Sequence, residues 1–447
     1  MKIEKMHPLL EKIKTVIANT KFENKSYVAG GFVRDLIMNR PSKDIDIVVE
    51  LPNGGIELAE FLTKELHGTN VVIFERFGTA QIVVDGLELE FVMTRKETYN
   101  ENDRKCEVEF GTIYDDVLRR DFTINSLLLN ISTGEILDLC NGIDDIKKRI
   151  IKTTGDPNVI FTQDPLRIMR AIRLSTILDF RIELSTLFRI KEFASKLNNI
   201  SRERIQDEFV KILASDGFDE GIKLCVFLDI FKNIGLPQMH DAVGMTQNAY
   251  HYADVFQHTM DVMSNAKPTA LHRLSAMLHD IGKVLTRTVD EDGVVHFYGH
   301  EHFSKEVTDK FMKELKFSNE EIDLVSTSVL NHMRVSSSIT DKKIRQIRSE
   351  LGDLHFSFLL DLCEADRLSC VDKNTDYILN ARTLKDKEPI ISTSNLPING
   401  IDMMTLFNLK PGIAVGKLLK LEADMVCENP NITKNEIIVN LKKVNIE

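Results

Sequence analysis

With 447 residues, of which 43% are hydrophobic and 28% charged, the chain is long enough for two to four domains and has the composition of a globular protein. No run of 18 uncharged apolar residues occurs, which argues against a membrane-spanning helix, and charges interrupt Met1–Met6, so no secretory leader is expected. The formal net charge of −11 argues against a nucleic-acid binder on average, yet between Lys147 and Arg204 there are 13 Lys/Arg against 6 Asp/Glu. Six widely spaced cysteines without a C-x-x-C pair speak against a zinc ribbon and predict unpaired thiols in a reducing, cytoplasmic setting.

Taken in order, Ser26–Ala29 is a short apolar run entering Gly30-Gly31, and Phe32–Met38 has helical character. Asp44–Glu50 settles into Ile47-Val48-Val49 and predicts a strand. Val71–Phe74, Thr79–Val84 and Leu87–Thr94 predict further strands, with Asp85-Gly86 as a hairpin turn. Ile124–Asn130 is readable as helix or strand, and Glu135–Leu139 as a last short strand. From Asp144 the pattern is helical almost to the end; Leu166, Met169, Ile172 and Leu174 follow helical spacing, with Pro165 suited to a first turn. Gly235–Gly244 and Pro389–Gly400 are candidate linkers. The class is therefore α+β, a mixed α/β head followed by a helical body.

Gly30-Gly31-Phe32-Val33-Arg34-Asp35 followed by Asp44-Ile45-Asp46 is the strongest local signal. Two glycines between a strand and a helix let backbone N–H groups approach a phosphate, and Arg34 adds a clamp for a triphosphate. Asp44 and Asp46, alternating on a strand, face one side, where their mutual repulsion suits Mg²⁺; Glu90 offers a third carboxylate for a two-metal site. Alone, a D-x-D pair is more often an exposed turn and a G-G a tight turn. In this order and spacing they resemble the polymerase-β-like nucleotidyltransferase superfamily.

Downstream, Arg119-Arg120-Asp121-Phe122-Thr123-Ile124-Asn125-Ser126-Leu127 resembles the R-R-D-F-T-I-N-A-L element of class II tRNA nucleotidyltransferases and bacterial poly(A) polymerases, with Ser126 for the usual Ala. The resemblance implies Arg120 on the triphosphate, and Asp121 and Asn125 on the ribose. Gln163-Asp164-Pro165-Leu166-Arg167-Ile168-Met169-Arg170-Ala171-Ile172-Arg173 resembles the family's E-D-x-L-R-x-x-R-A-x-R helix. It implies that Asp164 and Arg167 read the base edge of CTP or ATP, with Arg170 and Arg173 alongside. Gln163, where Glu is usual, keeps hydrogen-bonding capacity without charge. Ser201-Arg202-Glu203-Arg204-Ile205, with Glu208, resembles the element closing the neck and implies charge pairing and capping.

A second constellation, His258, His279-Asp280 within Leu278–Lys283, His300, His332 and Asp366, resembles the HD phosphohydrolase superfamily and implies a divalent metal site. A solitary histidine would more often be a core or surface residue; the ordered set favours ligands. The implied organisation is a polymerase-β-like head with a mixed sheet (1–150), a helical neck binding nucleotide and RNA (151–240), an HD body (241–375) and a helical tail (376–447). The implied activity is CCA addition to the tRNA 3′ end from CTP and ATP, with Mg²⁺ at Asp44 and Asp46. Poly(A) polymerase, a CC-only or A-only enzyme, and an HD phosphohydrolase acting on RNA ends are the rivals. Thr94–Tyr99 through Asp103-Arg104-Lys105 resembles the flexible loop of complete CCA-adding enzymes, and Pro397–Asp402 with Lys410–Gly416 the family's tail.

Overall fold

The computed structural model describes residues 1–3, 6–42, 44–68, 71–74, 78–99, 106–247 and 253–443. Two compact units are formed: Met1–Ile212 with Glu220–Ile230, and Leu213–Asp219 with Phe231–Glu447.

In the first unit, β-branched and apolar runs build strands β1 (Ser26–Ala29), β2 (Ile45–Val49), β3 (Val72–Phe74), β4 (Thr79–Val84), β5 (Leu87–Met93), β6 (Arg95–Tyr99), β7 (Cys106–Phe110), β8 (Leu128–Asn130) and β9 (Ile136–Leu137). Seven of these make one sheet in the order β3-β4-β5-β2-β1-β8-β9. Only β2 and β5 run parallel, so the sheet is mixed, as expected. Asp85 and Gly86 both take positive φ, 52° and 78°, which lets the β4–β5 hairpin close in two residues. Ala29, Val48, Val117 and Leu128 pack a buried cluster behind the centre of the sheet.

β6 and β7 form a separate two-stranded arm. Its base is pinned where Thr94 N–H donates to Val49 O (3.0 Å) and Thr94 Oγ1 donates to Gly111 O (2.6 Å). The expected flexible loop corresponds to this arm, and its Asp103-Arg104-Lys105 portion lies outside the described residues.

Three expectations need adjustment. Ile124–Asn130 is neither one helix nor one strand: Thr123–Asn125 is a 3₁₀ turn and Leu128–Asn130 a strand. The helical run is interrupted by two short strand pairs, Ile150–Ile151 with Arg181–Ile182 and Thr288–Val289 with Val295–His296. The Gln163–Arg173 string is also not one helix. Helix Pro157–Gln163 ends at Asp164, whose backbone is extended (φ −143°, ψ 99°), and a new helix spans Leu166–Leu178. Pro165 disfavours helical geometry in the residue before it, so Asp164 stands at a corner between the two helices.

In the second unit, helices Val255–Asn265, His300–Glu314 and Asp341–Leu368, the last kinked at Gly352 (φ 78°), carry His258, His300 and Asp366, while His279-Asp280 and His332 follow directly on the ends of helices Ala270–Leu278 and Asn319–Asn331. A further cluster around Ile398, Met403, Leu418, Ile437 and Leu441 holds the terminal helices Gly400–Phe407, Ile413–Glu428 and Lys434–Leu441 together. The candidate linker Gly235–Gly244 contains a short helix, Gln238–Asp241; in Pro389–Gly400, residues 389–399 have no regular structure but lie within the second unit, with Leu396 and Ile398 packed into the terminal cluster.

Candidate active site

Register places the acidic residues. Ala29, Asp46 and Glu90 stand in one row across the adjacent strands β1, β2 and β5. Asp44 sits one residue before β2 rather than within it. Desolvation raises the Asp46 carboxyl above its ordinary range; Arg120 opposes this and Asp44 adds to it. Glu90 is raised first by desolvation and then by Asp46, against Arg95. Asp46 and Glu90, each raised by burial and by a neighbouring carboxylate, are donors whose charge a divalent cation would relieve.

Gly30 follows Ala29 at φ 71°, ψ −139°, a conformation that only glycine adopts readily. A Cβ there would lie 3.5 Å from Asp46 Oδ2 and 3.7 Å from Arg120 Nη1, so the turn is fitted against the site. Arg34, on helix Gly31–Ile37, donates to Asp35 through Nε (2.9 Å) and to Asn125 Oδ1 through Nη1 (2.7 Å).

Asp121 and Asn125 are coupled to one another and to two arginines. Asn125 Nδ2 donates to Asp121 Oδ1 (3.3 Å), as does Phe122 N–H (2.8 Å), while Arg170 Nε donates to Asp121 Oδ2 (2.8 Å). Burial works to raise the Asp121 carboxyl, but Arg170 and these hydrogen bonds prevail and lower it. Arg170 Nη1 also lies 3.9 Å from Glu208 Oε1, and Arg173 Nε donates to Glu208 Oε2 (2.5 Å). A continuous chain, Arg34–Asn125–Asp121–Arg170–Glu208–Arg173, thus links the glycine turn to the neck helices.

Asp116 was missed from sequence. It is fully buried and accepts from Arg119 (Nε 3.0 Å) at one oxygen and from Arg120 (Nε 3.1 Å, Nη2 2.9 Å) at the other. Burial opposes the ionised form, yet the Arg120 and Arg119 charges lower its pKa. The available signal was its spacing, three and four residues before two arginines.

Around these groups lies a cleft of about 410 Å³ lined by seven arginines (34, 119, 120, 167, 170, 173 and 204) against three aspartates (46, 121 and 164). All ten residues expected to bind nucleotide line it, as does Asp46, whereas Asp44 and Glu90 are not among its lining residues. Arg167 is buried; its Nη1 donates to Ile160 O (3.2 Å) and Gln163 Oε1 (3.1 Å), and its Nη2 to Arg119 O (2.6 Å). Gln163 therefore acts as a neutral acceptor that orients Arg167. A polyanion entering this cleft would meet guanidinium groups held by hydrogen bonds.

The second unit brings the six histidine-site residues together. Nε2 of His279 and His300 each lie 3.1 Å from the Asp280 carboxylate, and His332 Nε2 lies 3.6 Å from it; His258 Nε2 is 3.1 Å from Asp366 Oδ1. Nδ1 of His279, His300 and His332 faces the carbonyl of Ala276, Phe297 or Val329, which fixes each ring with Nε2 inward. Two ligand triplets, His258–His279–Asp280 and Asp280–His300–His332, have the spacing to hold metal. Asp280 is held well below the usual carboxylate range: burial opposes ionisation, but His279 and Lys283 outweigh it. Lys283, buried with Nζ 2.6 Å from Asp280 Oδ2, belongs to this cluster although only the motif, not the residue, was singled out from sequence.

Among the described residues, no helix is long and apolar enough to cross a membrane. Three family models match in succession: "Poly A polymerase head domain" over residues 26–152, "Probable RNA and SrmB- binding site of polymerase A" over 179–243, and "tRNA nucleotidyltransferase domain 2" over 294–441. A CCA-adding enzyme of Ligilactobacillus salivarius is 27% identical over 449 residues, covering 99% of this chain and 96% of its own. An A-adding tRNA nucleotidyltransferase of Deinococcus radiodurans is 27% identical over 415 residues, covering 89% and 90%. The solved structure of the Bacillus stearothermophilus CCA-adding enzyme in complex with CTP superposes with a TM-score of 0.70 at 20% identity, covering 98% of both chains, and shows the same fold.

Proposed function

We propose that this chain, which matches models of the poly(A) polymerase head and of tRNA nucleotidyltransferase domains in succession, adds CCA to the 3′ end of tRNA, using CTP and ATP without a template. The observation that carries this reading is one cleft in which Asp46, whose strand neighbour in register is Glu90, a set of arginines and the Asp164/Arg167 pair converge. In the reaction the tRNA 3′-oxygen bonds to the α-phosphorus of the nucleotide, the bond to the β-phosphate oxygen breaks, and pyrophosphate leaves.

Arg34 and Arg120 neutralise the triphosphate, and Asp116 holds Arg120 in place for it. Asp121 and Asn125 meet the ribose at the cleft wall, while Asp164 accepts from the exocyclic amine of C or A and Arg167 donates to the ring nitrogen. Asp44, Asp46 and Glu90 would hold Mg²⁺, which when bound lowers the pKa of the attacking hydroxyl and stabilises the leaving pyrophosphate. We place the head at 1–150, the neck at 151–240, the HD body at 241–375 and the tail at 376–447, and expect a cytoplasmic enzyme. Asp44→Ala should abolish nucleotide addition while tRNA still binds in a filter or gel-shift assay; retained turnover would sink the acidic-row assignment.

The inward-aimed Nε2 atoms favour a second reading for the other unit: a divalent metal held by His258, His279, Asp280, His300, His332 and Asp366 and suited to phosphoester hydrolysis. Metal analysis of purified protein against His279→Ala/His300→Ala tests it. Equal metal content in the two would refute it.

A further inference from the structure

We propose that Arg204 is a positioning residue for nucleobase selection, acting by fixing the Asp164 carboxylate; the inference rests on the base-reading role given to Asp164 above. Asp164 stands at the corner between two helices, where a free carboxylate would rotate. Each of its oxygens is instead tied once: Oδ1 accepts from Leu166 N–H (3.1 Å) and Oδ2 accepts from Arg204 Nη2 (2.9 Å). Each oxygen keeps acceptor capacity for a base amine, but in a set direction.

The placement of Arg204 is hard to explain by helix stability. It sits in the first turn of helix Arg202–Ala214, where the helix dipole disfavours a cation. One turn later the same helix presents Glu208, which holds Arg173 and approaches Arg170. Arg204 and Glu208 therefore act as paired clamps on the base-reading segment, one on its carboxylate corner and one on its arginines. Arg167 is immobilised independently by Ile160 O, Gln163 Oε1 and Arg119 O. Of the two groups assigned to the base edge, only Asp164 depends on Arg204.

Selection of C over U, or A over G, turns on that acceptor. Cytosine and adenine present an amine where uracil and guanine present a carbonyl oxygen, which an oriented carboxylate repels. A carboxylate free to turn away loses this penalty. The side chain of Arg204 is 52% exposed, and an exposed ion pair adds little to stability, so its replacement should leave the fold intact.

The test measures kcat/KM of the full-length protein for CTP and UTP on tRNA lacking CCA, and for ATP and GTP on tRNA ending in CC. The comparison includes wild type, Arg204→Gln, Arg204→Lys and Asp164→Ala. For Arg204→Gln the CTP/UTP and ATP/GTP ratios should fall by about tenfold, with partial recovery in Arg204→Lys. Inhibition by pyrophosphate should not change, and the thermal midpoint should stay within about 2 °C of wild type. An Arg204→Gln enzyme with wild-type ratios overturns the proposal, as does equal loss for correct and incorrect nucleotides with no recovery in Arg204→Lys. A wild type that selects neither C nor A overturns the functional reading itself. A wild type whose selection survives Asp164→Ala overturns the role of Asp164, so the failures can be told apart.

Discussion

Replacing Asp121 by asparagine tests whether the cleft wall bearing Asp121 and Asn125 is held by the charge chain from Arg34 to Arg173. Asp121 is buried and accepts from Phe122 N–H, Asn125 Nδ2 and Arg170. Asparagine keeps the shape but replaces one oxygen with an amide donor, so a donor faces either the Arg170 guanidinium or the Phe122 N–H. Breaking a buried pair from one side costs about 3–5 kcal/mol. The half-buried Arg170 has Glu208 nearby to compensate, which places the expected loss at the lower end, about 3 kcal/mol. The sign with pH follows from the lowered Asp121 pKa: its stabilisation is present above the unfolded carboxylate value of about 3.9 and is lost as pH falls through the folded value. The difference between wild type and Asp121→Asn should therefore be full at pH 7 and shrink below about pH 4. Urea unfolding followed by fluorescence from a probe placed in the first unit measures it, alongside KM for CTP, which should rise as Asn125 loses its anchor. Unchanged stability at pH 7 with unchanged KM would refute the coupling of Arg34 to Glu208 through Asp121.

Gly30→Ala places a methyl group beside Asp46 and Arg120 in a backbone conformation costing about 1–3 kcal/mol, so CTP incorporation should drop at least about tenfold with only modest loss of melting temperature. Gln163→Glu retains the acceptor for Arg167 and should change kcat/KM for CTP by less than about threefold, whereas Gln163→Leu removes it and should cost about tenfold. Glu422 is fully buried, with Oε1 accepting from Ile398 N–H (2.7 Å) and Oε2 making no hydrogen bond; burial pushes its carboxyl up to about 7. A folded value raised above the unfolded one means that stability falls as pH rises from about 4.5 to 7, leaving a deficit of up to about 3 kcal/mol at pH 8. Glu422→Gln should thus raise the melting midpoint of the second unit at pH 8 and have little effect at pH 5, and a lower midpoint at pH 8 would contradict this.

What was legible in the sequence was what is local. Gly30-Gly31, Asp44/Asp46 and the Arg119–Leu127 string carry their chemistry in near-consecutive residues, and of these Gly30, Gly31, Asp46, Arg119, Arg120, Asp121 and Asn125 line one cleft. The row of Asp46 with Glu90 needed only two strands to pair in parallel register. Less legible were residues whose partners lie across the fold. Asp116 looks like an ordinary surface charge on a short helix, because nothing local reveals that its carboxylate is fully buried between two guanidinium groups. The corner at Asp164 was foreshadowed by Pro165, but helical spacing on both sides masked it. Net charge misled for a simpler reason: an average over the chain hides a cleft whose lining is mostly arginine.

The central claim is tested most directly by the sequence of the 3′ ends made from tRNA lacking CCA, when wild-type protein is supplied with Mg²⁺, CTP and ATP together. The account predicts a single dominant product ending in CCA, with addition stopping after three nucleotides. Products that stop at CC, addition of A only to a preformed CC end, long A tracts, or no addition at all would each contradict it.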